Sequence, residues 1–346
     1  MLLSIIIPIY NDGKYLNKAL RSVYHQSFQD FEVIVVNDGS TDKTGEYCSH
    51  WQRQHSNIHL ISQENQGSSM ARRNGIMAAQ GKYCVFLDAD DWFCDDNALK
   101  RLVQRMEESG VDVLQFLVEK NYFGKGKPVS GSEGEKSYAE FWEKDCSTLL
   151  GGKTWEISPY LCDKIYRTEP FQKAVSENEV ERIFIFDYIY LNLLYFSQKE
   201  VQRIAYVPWV LYSWRQYSGG IFQCDERLMD DYEVLKPMEL RMIEKQGLSE
   251  AFRKQCHVET VYLFNSACSK AAQHQKITVS FLRQMYQYAS VQGALDYFRE
   301  HPDGLWEVIR NFMNTDEKTL SRNAARYNKL WKGKVKNIFI RLFCSK

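Results

Sequence analysis

Neither sign of charge is in excess. Lys plus Arg and Asp plus Glu number 44 each over 346 residues, so no global field draws the chain to nucleic acid. No uninterrupted apolar stretch approaches the ~20 residues of a membrane span. The apolar start, Met1 to Tyr10, carries no basic leader and runs into Pro8 and the Asn11-Asp12-Gly13 turn, which predicts a strand and not a signal peptide. The nine cysteines include no CxxC pair and their number is odd, a usage that fits a reduced, cytoplasmic setting. No GxGxxG follows the first strand pattern, which counts against a dinucleotide-binding domain. No GxxxxGK[ST] occurs anywhere, which counts against a P-loop. Internal repeats are absent, and after Glu317 there is no acidic residue at all.

What is present is an ordinary soluble composition, 44% apolar and 25% charged, on a chain long enough for about two domains. Its centre is Lys82 to Trp92. Tyr83 to Leu87 form a continuous apolar run, the pattern of a parallel strand covered on both faces, and Asp88, Asp90 and Asp91 follow at once. Open α/β sheets hold ligands at the carboxyl ends of their strands. Three acids this close repel one another, and a hard divalent cation bridging carboxylate to phosphate suits them.

The rest of the first half alternates strand and helix. Leu2 to Ile7 predicts a strand ended by Pro8, with a helical stripe through Tyr15, Leu16, Ala19, Leu20 and Val23. Phe31 to Val36 and Ile58 to Ile61 give two more strands. Asn37 to Asp42 opens the helix between those strands, and Asn65 to Ser69 opens one ending near Ala79. Such alternation predicts a parallel, right-handed α/β sheet. Tyr10 and Asp38, at two strand ends, offer an aromatic face and an acceptor, which suit a uracil ring and its imide N–H. Arg72 and Arg73, near a helix start, suit a diphosphate. Singly, each of these also reads as a packing, turn or surface residue.

Taken together, five segments resemble the nucleotide-sugar domain of family 2 glycosyltransferases, which have the GT-A fold. They are Ser4 to Asn11, Val35 to Asp42, Asn65-Gln66-Gly67 with Ala71-Arg72, Gly75 with Gly81, and Phe86 to Asp91. The resemblance implies a Rossmann-like, mostly parallel sheet flanked by helices, with residues 1–95 as the nucleotide-sugar half and 96–225 as the acceptor half. It implies that Pro8, Tyr10 and Asp38 hold the base and that Asp88 reaches the ribose. It places Asn11, Arg72 and Ala89 in the same donor site, and gives Asp90, with Asp88, a Mn²⁺ or Mg²⁺ ion. The family has Asn after the Arg, whereas this chain has Arg73 with Asn74 displaced.

In the second half, a helix stripe over Asp96 to Ser109 leads to a strand over Val111 to Val118. Gly124 to Glu135 predicts a loop or hairpin over the acceptor side. Tyr160 to Arg167 resembles a Lys-Leu-Tyr-Arg segment of the family, and Val207 to Gly220 its aromatic–Arg–polar stretch, where Arg215 is expected to reach the diphosphate. A family Glu-Asp pair supplying the catalytic base aligns with Phe186-Asp187, so the resemblance assigns the base to Asp187, with Glu179 and Glu181 as substitutes. Without the resemblance, Asp187 reads as an N-cap. His50, His55 and His59 straddle a helix end and a strand and read as structural, not as a metal cluster.

After Asp225 the pattern is helical: Leu228 to Gln246, Ser249 to Gln273, Val279 to Gln292 and Ala294 to Glu300, with breaks expected at Pro237 and Pro302. Residues 226–346 are therefore expected as a helical domain. Its tail, 328–346, puts Trp331, Val335, Ile338, Phe339 and Leu342 on one helical face and lysines elsewhere. Such a helix lies on an anionic membrane surface or docks on the protein's own core.

The expected activity is inverting, metal-assisted transfer of a hexosyl or N-acetylhexosaminyl unit. The donor is a UDP-sugar, and the acceptor a hydroxyl of a glycan, glycolipid or glycoprotein. An oligomer, and a peripheral position on the inner face of a cell membrane, are compatible with this reading. A nucleotidylyltransferase would need a Gly-rich basic loop where Pro8-Ile9-Tyr10-Asn11 stands. A non-catalytic partner subunit that binds nucleotide sugar is the alternative that Phe186 leaves open.

Overall fold

The computed structural model describes residues 1–122, 125–128, 142–145, 158, 160–178, 180, 182–183, 187–216, 227–246, 253–254, 257, 260, 264, 268, 278–301 and 316–332. The chain forms two compact units, Met1–Gly220 and Ile221–Lys346.

The first unit is built on a mixed sheet. Its strands are β1 (Leu3–Ile9), β2 (Phe31–Asp38), β3 (Ile58–Gln63), β4 (Tyr83–Phe86), β5 (Trp92–Phe93), β6 (Val113–Tyr122), β7 (Lys125–Pro128), β8 (Trp142–Asp145), β9 (Lys164–Arg167) and β10 (Arg203–Gln216). The main path runs β3-β2-β1-β4-β9-β6-β10-β5, with β7 on β6 and β8 on β10. The parallel arrangement expected from the alternating pattern holds from β3 to β4. Beyond β4 the sheet is mixed, because β9 enters antiparallel to both β4 and β6, while β6 and β10 run parallel. The expected end at Pro8 is passed: β1 continues to Ile9, with Pro8 beside Val36. Of Lys125–Pro128, within the expected Gly124–Glu135 loop, the structure makes a hairpin arm; residues 129–135 lie outside the described residues.

Burial on both faces is why β1 and β2 read as unbroken apolar runs. Ile5, Ile7, Val33 and Val35 face α1 (Gly13–Tyr24), α2 (Thr44–Gln54) and α4 (Ala98–Ser109), whose Leu16, Leu20, Cys48, Leu99 and Leu102 complete one core. On the other face lie α3 (Ser68–Ala78), α5 (Thr168–Glu177) and α6 (Asp187–Phe196). There Phe86, Tyr166, Phe171 and Tyr195 form an edge-on aromatic cluster with centroids 4.8–6.0 Å apart. Each such side chain contributes roughly 1.5–3 kcal/mol by leaving water. At the edge opposite the acidic loop, buried Glu32 accepts from Ser4 Oγ at 2.6 Å and Gln80 N at 2.7 Å, and His59 Nε2 lies 3.4 Å away. His55 stacks on Tyr24 at 3.7 Å, so the histidines serve structure.

In the second unit the described helices are Arg227–Gln246, Val279–Tyr286, Ala289–Glu300 and Glu317–Lys332. Pro237 lies inside the first and does not break it. It is exposed there, and the proline withholds only the N–H that Glu233's carbonyl would have accepted. The helices expected to meet at Gly293 meet instead near Tyr288. The cause is a cap: the Glu233 carboxylate accepts the leading N–H groups of Ala289 and Ser290 at 2.8 and 2.9 Å, where a helix start favours negative charge. Most of Ser249 to Gln273, and residues 333–346 of the tail, lie outside the described residues. Among the described residues no helix is long and apolar enough to cross a membrane.

Candidate active site

The carboxyl ends of β1, β2 and β4 bring the donor-side candidates to one edge. Tyr10 follows β1 and is 47% exposed, a ring open to a ligand. Asn11 next to it has φ 54°, in the left-handed region where Asn is among the better tolerated residues. Its side-chain carbonyl accepts from Thr41 N at 2.8 Å, and its own N–H donates to Ser40 Oγ at 3.0 Å. Asn11 thus fastens the loop after β2.

Asp38 closes β2 and is buried. Its Oδ1 accepts from Gln63 Nε2 and Gln66 N, both at 2.8 Å, and its Oδ2 from Gly67 N at 2.9 Å. A carboxylate has about four acceptor positions, so one remains on Oδ2.

A second group forms around Arg72 on α3. Its Nη2 donates to Asp88 Oδ1 at 2.5 Å, and its Nη1 to Asp187 Oδ2. Its Nε is buried without a partner. Burial opposes the guanidinium charge, but Asp187 and Asp88 more than offset it and push the pKa of Arg72 up. Asp187, at the first position of α6, is buried. Burial drives its pKa up, Arg72 pulls it back, and Asp88 raises it again. The resemblance had set Arg72 towards a diphosphate; here both its terminal nitrogens serve carboxylates. Phe186, Glu179 and Glu181 lie outside the described residues.

The acid loop after β4 is held from β10. Tyr212 accepts from Asp88 N–H at 3.1 Å and donates to Asp91 Oδ2 at 2.7 Å. Arg215 donates its backbone N–H to Asp91 Oδ1 and its Nε to the Asp90 carbonyl, both at 2.7 Å. Its guanidinium lies 4.9 Å from the Tyr15 ring and 5.0 Å from Trp92. Arg215 therefore braces the loop. Pro8 lies within β1, and Ala89 is buried in the loop.

Asp91 is 1% exposed. Burial drives its pKa well up, and the charges of Asp90 and Asp88 add to the rise. Asp88 and Asp90 are themselves half-buried, and Asp88 is paired with Arg72. Among the described residues no three His, Cys, Asp or Glu side chains are grouped to hold a metal ion. Asp88 and Asp90 nonetheless supply two hard oxygen donors, which fit a Mg²⁺- or Mn²⁺-type ion that completes its shell with substrate phosphate and water.

Tyr212 and the double role of Arg72 were not legible as site features. The Arg72–Asp187 contact spans 115 residues and the Tyr212–Asp91 contact 121, and neither pair lies in one motif.

The sheet order and the acid-tipped fourth strand are those of a GT-A fold. The profile described as "Glycosyl transferase family 2" matches residues 4–165. Over these residues, a little under half of the chain, it is similar to glycosyl transferase family 2. Glycosyltransferase GlyG of Streptococcus pneumoniae serotype 4 is 38% identical over 114 residues, 33% of this chain and 38% of that protein. The chain thus matches under two fifths of the length of GlyG. The uncharacterized glycosyltransferase EpsJ of Bacillus subtilis (strain 168) is 26% identical over 311 residues, 85% of this chain and 86% of its own. Among solved structures, S. aureus TarS 1-349 in complex with UDP matches with a TM-score of 0.66 at 20% identity, covering 96% of this chain and 91% of that one. Its complex with UDP-GlcNAc gives 0.60 at 20% identity, covering 96% and 92%.

Proposed function

We propose that the chain transfers a hexosyl or N-acetylhexosaminyl unit from a UDP-sugar to a hydroxyl of a growing glycan, glycolipid or glycoprotein, with inversion at C1. The observation that carries this reading is the bridge Asp88–Arg72–Asp187. One guanidinium joins a carboxylate at the end of the central strand to a buried carboxylate at the start of α6. The similarity of residues 4–165 to family 2 supports a nucleotide-sugar donor, and the UDP and UDP-GlcNAc complexes of TarS support uridine as its base.

In this reading the acceptor oxygen attacks C1 on the face opposite the diphosphate. The C1–O bond of the donor breaks with its electron pair passing to the diphosphate, and the acceptor proton passes to Asp187. Burial raises the basicity of Asp187 while Arg72 keeps it ionised. Tyr10 and the remaining acceptor position of Asp38 take the base. Asp88 and Asp90 are the residues that would hold Mn²⁺ or Mg²⁺, which when bound neutralises charge on the leaving diphosphate. The basic tail from residue 328 would hold the enzyme at an anionic membrane on its cytoplasmic face.

Thermal unfolding tests the donor site. Saturating UDP at about 100 times its Kd stabilises a folded protein by about 2.7 kcal/mol. UDP with Mn²⁺ is expected to raise the Tm more than UDP with EDTA, and Asp90→Asn to remove the difference. Equal shifts in Mn²⁺ and EDTA contradict the metal assignment. A chain that binds UDP but releases none from UDP-sugars with any acceptor is a nucleotide-sugar-binding partner subunit instead.

A further inference from the structure

Beyond Asp187 lie three aromatic rings with no part in donor chemistry. Tyr188 follows Asp187 on α6, Tyr160 lies in the loop before β9, and Trp214 precedes Arg215 on β10. The Tyr160 centroid is 5.2 Å from that of Tyr188 and 5.5 Å from that of Trp214. Their planes are tilted by 43° and 57°. All three are partly exposed, whereas Tyr166, Tyr190, Tyr195 and Tyr212 of the same unit are fully buried.

The loop carrying Tyr160 is held from beneath. Lys164, with no exposed surface, donates through Nζ to the carbonyls of Ser158 and Tyr160 and to Asp163 Oδ1, each at 2.6 Å. Ser158 N–H donates to Gln115 Oε1 at 2.9 Å. Burying an ammonium is costly unless its donors are met, and here all three are. An apolar residue would pack at that place without the cost. What the lysine adds is a fixed course for residues 160–163, and with it a fixed place for the Tyr160 ring.

The cluster is also flanked by the reacting groups. Tyr188 is one residue from the proposed base. Trp214 is two residues from Tyr212, so strand alternation puts it on the face of β10 from which Tyr212 holds Asp88 and Asp91. Lys120 Nζ stands 5.4 Å from the Trp214 centroid.

We propose that Tyr160, Tyr188 and Trp214 form the platform on which the terminal sugar ring of the acceptor rests. The proposal rests on Asp187 as the base, and names where the acceptor it deprotonates is seated. A pyranose ring presents weakly positive C–H groups on one face, which complement the negative face of an aromatic ring. Its hydroxyls meet the Lys120 ammonium at the margin. A sugar seated there lies beside the base on one side and the donor acids on the other.

Saturation-transfer NMR on the full chain, with UDP and Mn²⁺ present and a panel of methyl glycosides as probes, tests the platform. Saturation is expected on ring C–H protons of at least one glycoside. Trp214→Leu and Tyr160→Leu are each expected to weaken that binding by roughly tenfold, while Trp214→Phe and Tyr160→Phe largely keep it. The thermal shift with UDP and Mn²⁺ should be unchanged in all four. No saturation with any glycoside, a signal undiminished in both Leu variants, or loss of the UDP shift in the Leu variants overturns the platform. A wild-type chain that shows no UDP shift overturns the donor reading instead, so the two failures are distinct.

Discussion

Arg72 carries more of this site than its place in the sequence suggests. Two carboxylates from distant segments depend on it, and one of them, Asp187, is almost wholly buried. Removing one partner of a buried ion pair typically costs about 3–5 kcal/mol, because the other charge is left unpaired. Arg72→Met is therefore expected to destabilise the first unit by roughly that amount at neutral pH. The sign of its pH dependence follows from the titration of Asp187. Burial already raises the folded-state pKa above the unfolded value, and removing Arg72 withdraws the nearest influence that lowers it. Protonation then relieves the buried charge, so the deficit shrinks as the pH falls through that raised pKa. Urea unfolding of both proteins at pH 7 and pH 4.5 measures this. A deficit that grows on acidification contradicts the assigned charge state.

Helix α3 reaches the site only because it lies close against the sheet, and two glycines make that approach possible. A Cβ at Gly75 would stand 2.4 Å from Ile6 Cγ2. One at Gly81 would stand 2.6 Å from Ser4 N and 2.7 Å from Leu3 C. Side chains rotate away more readily than backbone. Gly81→Ala is therefore expected to cost more than Gly75→Ala, each within or above the ~1–3 kcal/mol of an overpacked core, by denaturant midpoint. The reverse order contradicts the packing. Strands β1 to β4 and helices α1, α3 and α4 were legible because each has a local signature: continuous apolar runs where both faces are covered, and 3.6-residue stripes where one face is. β9 and β5 were not. Lys164–Arg167 carries a charge at each end, and Trp92–Phe93 is only two residues long, so both are strands through partners remote in sequence. The acid loop was legible at the end of the central strand, and its bracing by Tyr212 and Arg215 was not, for the same reason.

The two units answer different physical demands, the first a sheet edge that gathers polar loops and the second a helical core with charged groups inside it. In the second, His257 is buried against Tyr297, 4.3 Å between centroids. Burial, then Lys236, Arg253 and His301, push its pKa down to about 3 from 6.5. The folded unit keeps His257 neutral while the unfolded chain protonates it. Its contribution is thus complete above pH 6.5 and is lost as the pH falls towards 3. Hydrogen exchange over Arg227–Gln246 should show protection falling between pH 7 and pH 4.5, and falling less in His257→Phe. An identical fall in both contradicts the assignment. For the protein as a whole, the claim that matters is a donor held at the β4 edge and an acceptor proton taken by Asp187. Asp187→Asn keeps the shape and removes the basicity. The direct measurement is UDP release from a UDP-sugar with acceptor, beside the UDP thermal shift in Mn²⁺. Turnover is expected to fall roughly 10²–10⁴-fold with the shift retained. Near-normal turnover in Asp187→Asn would contradict the account.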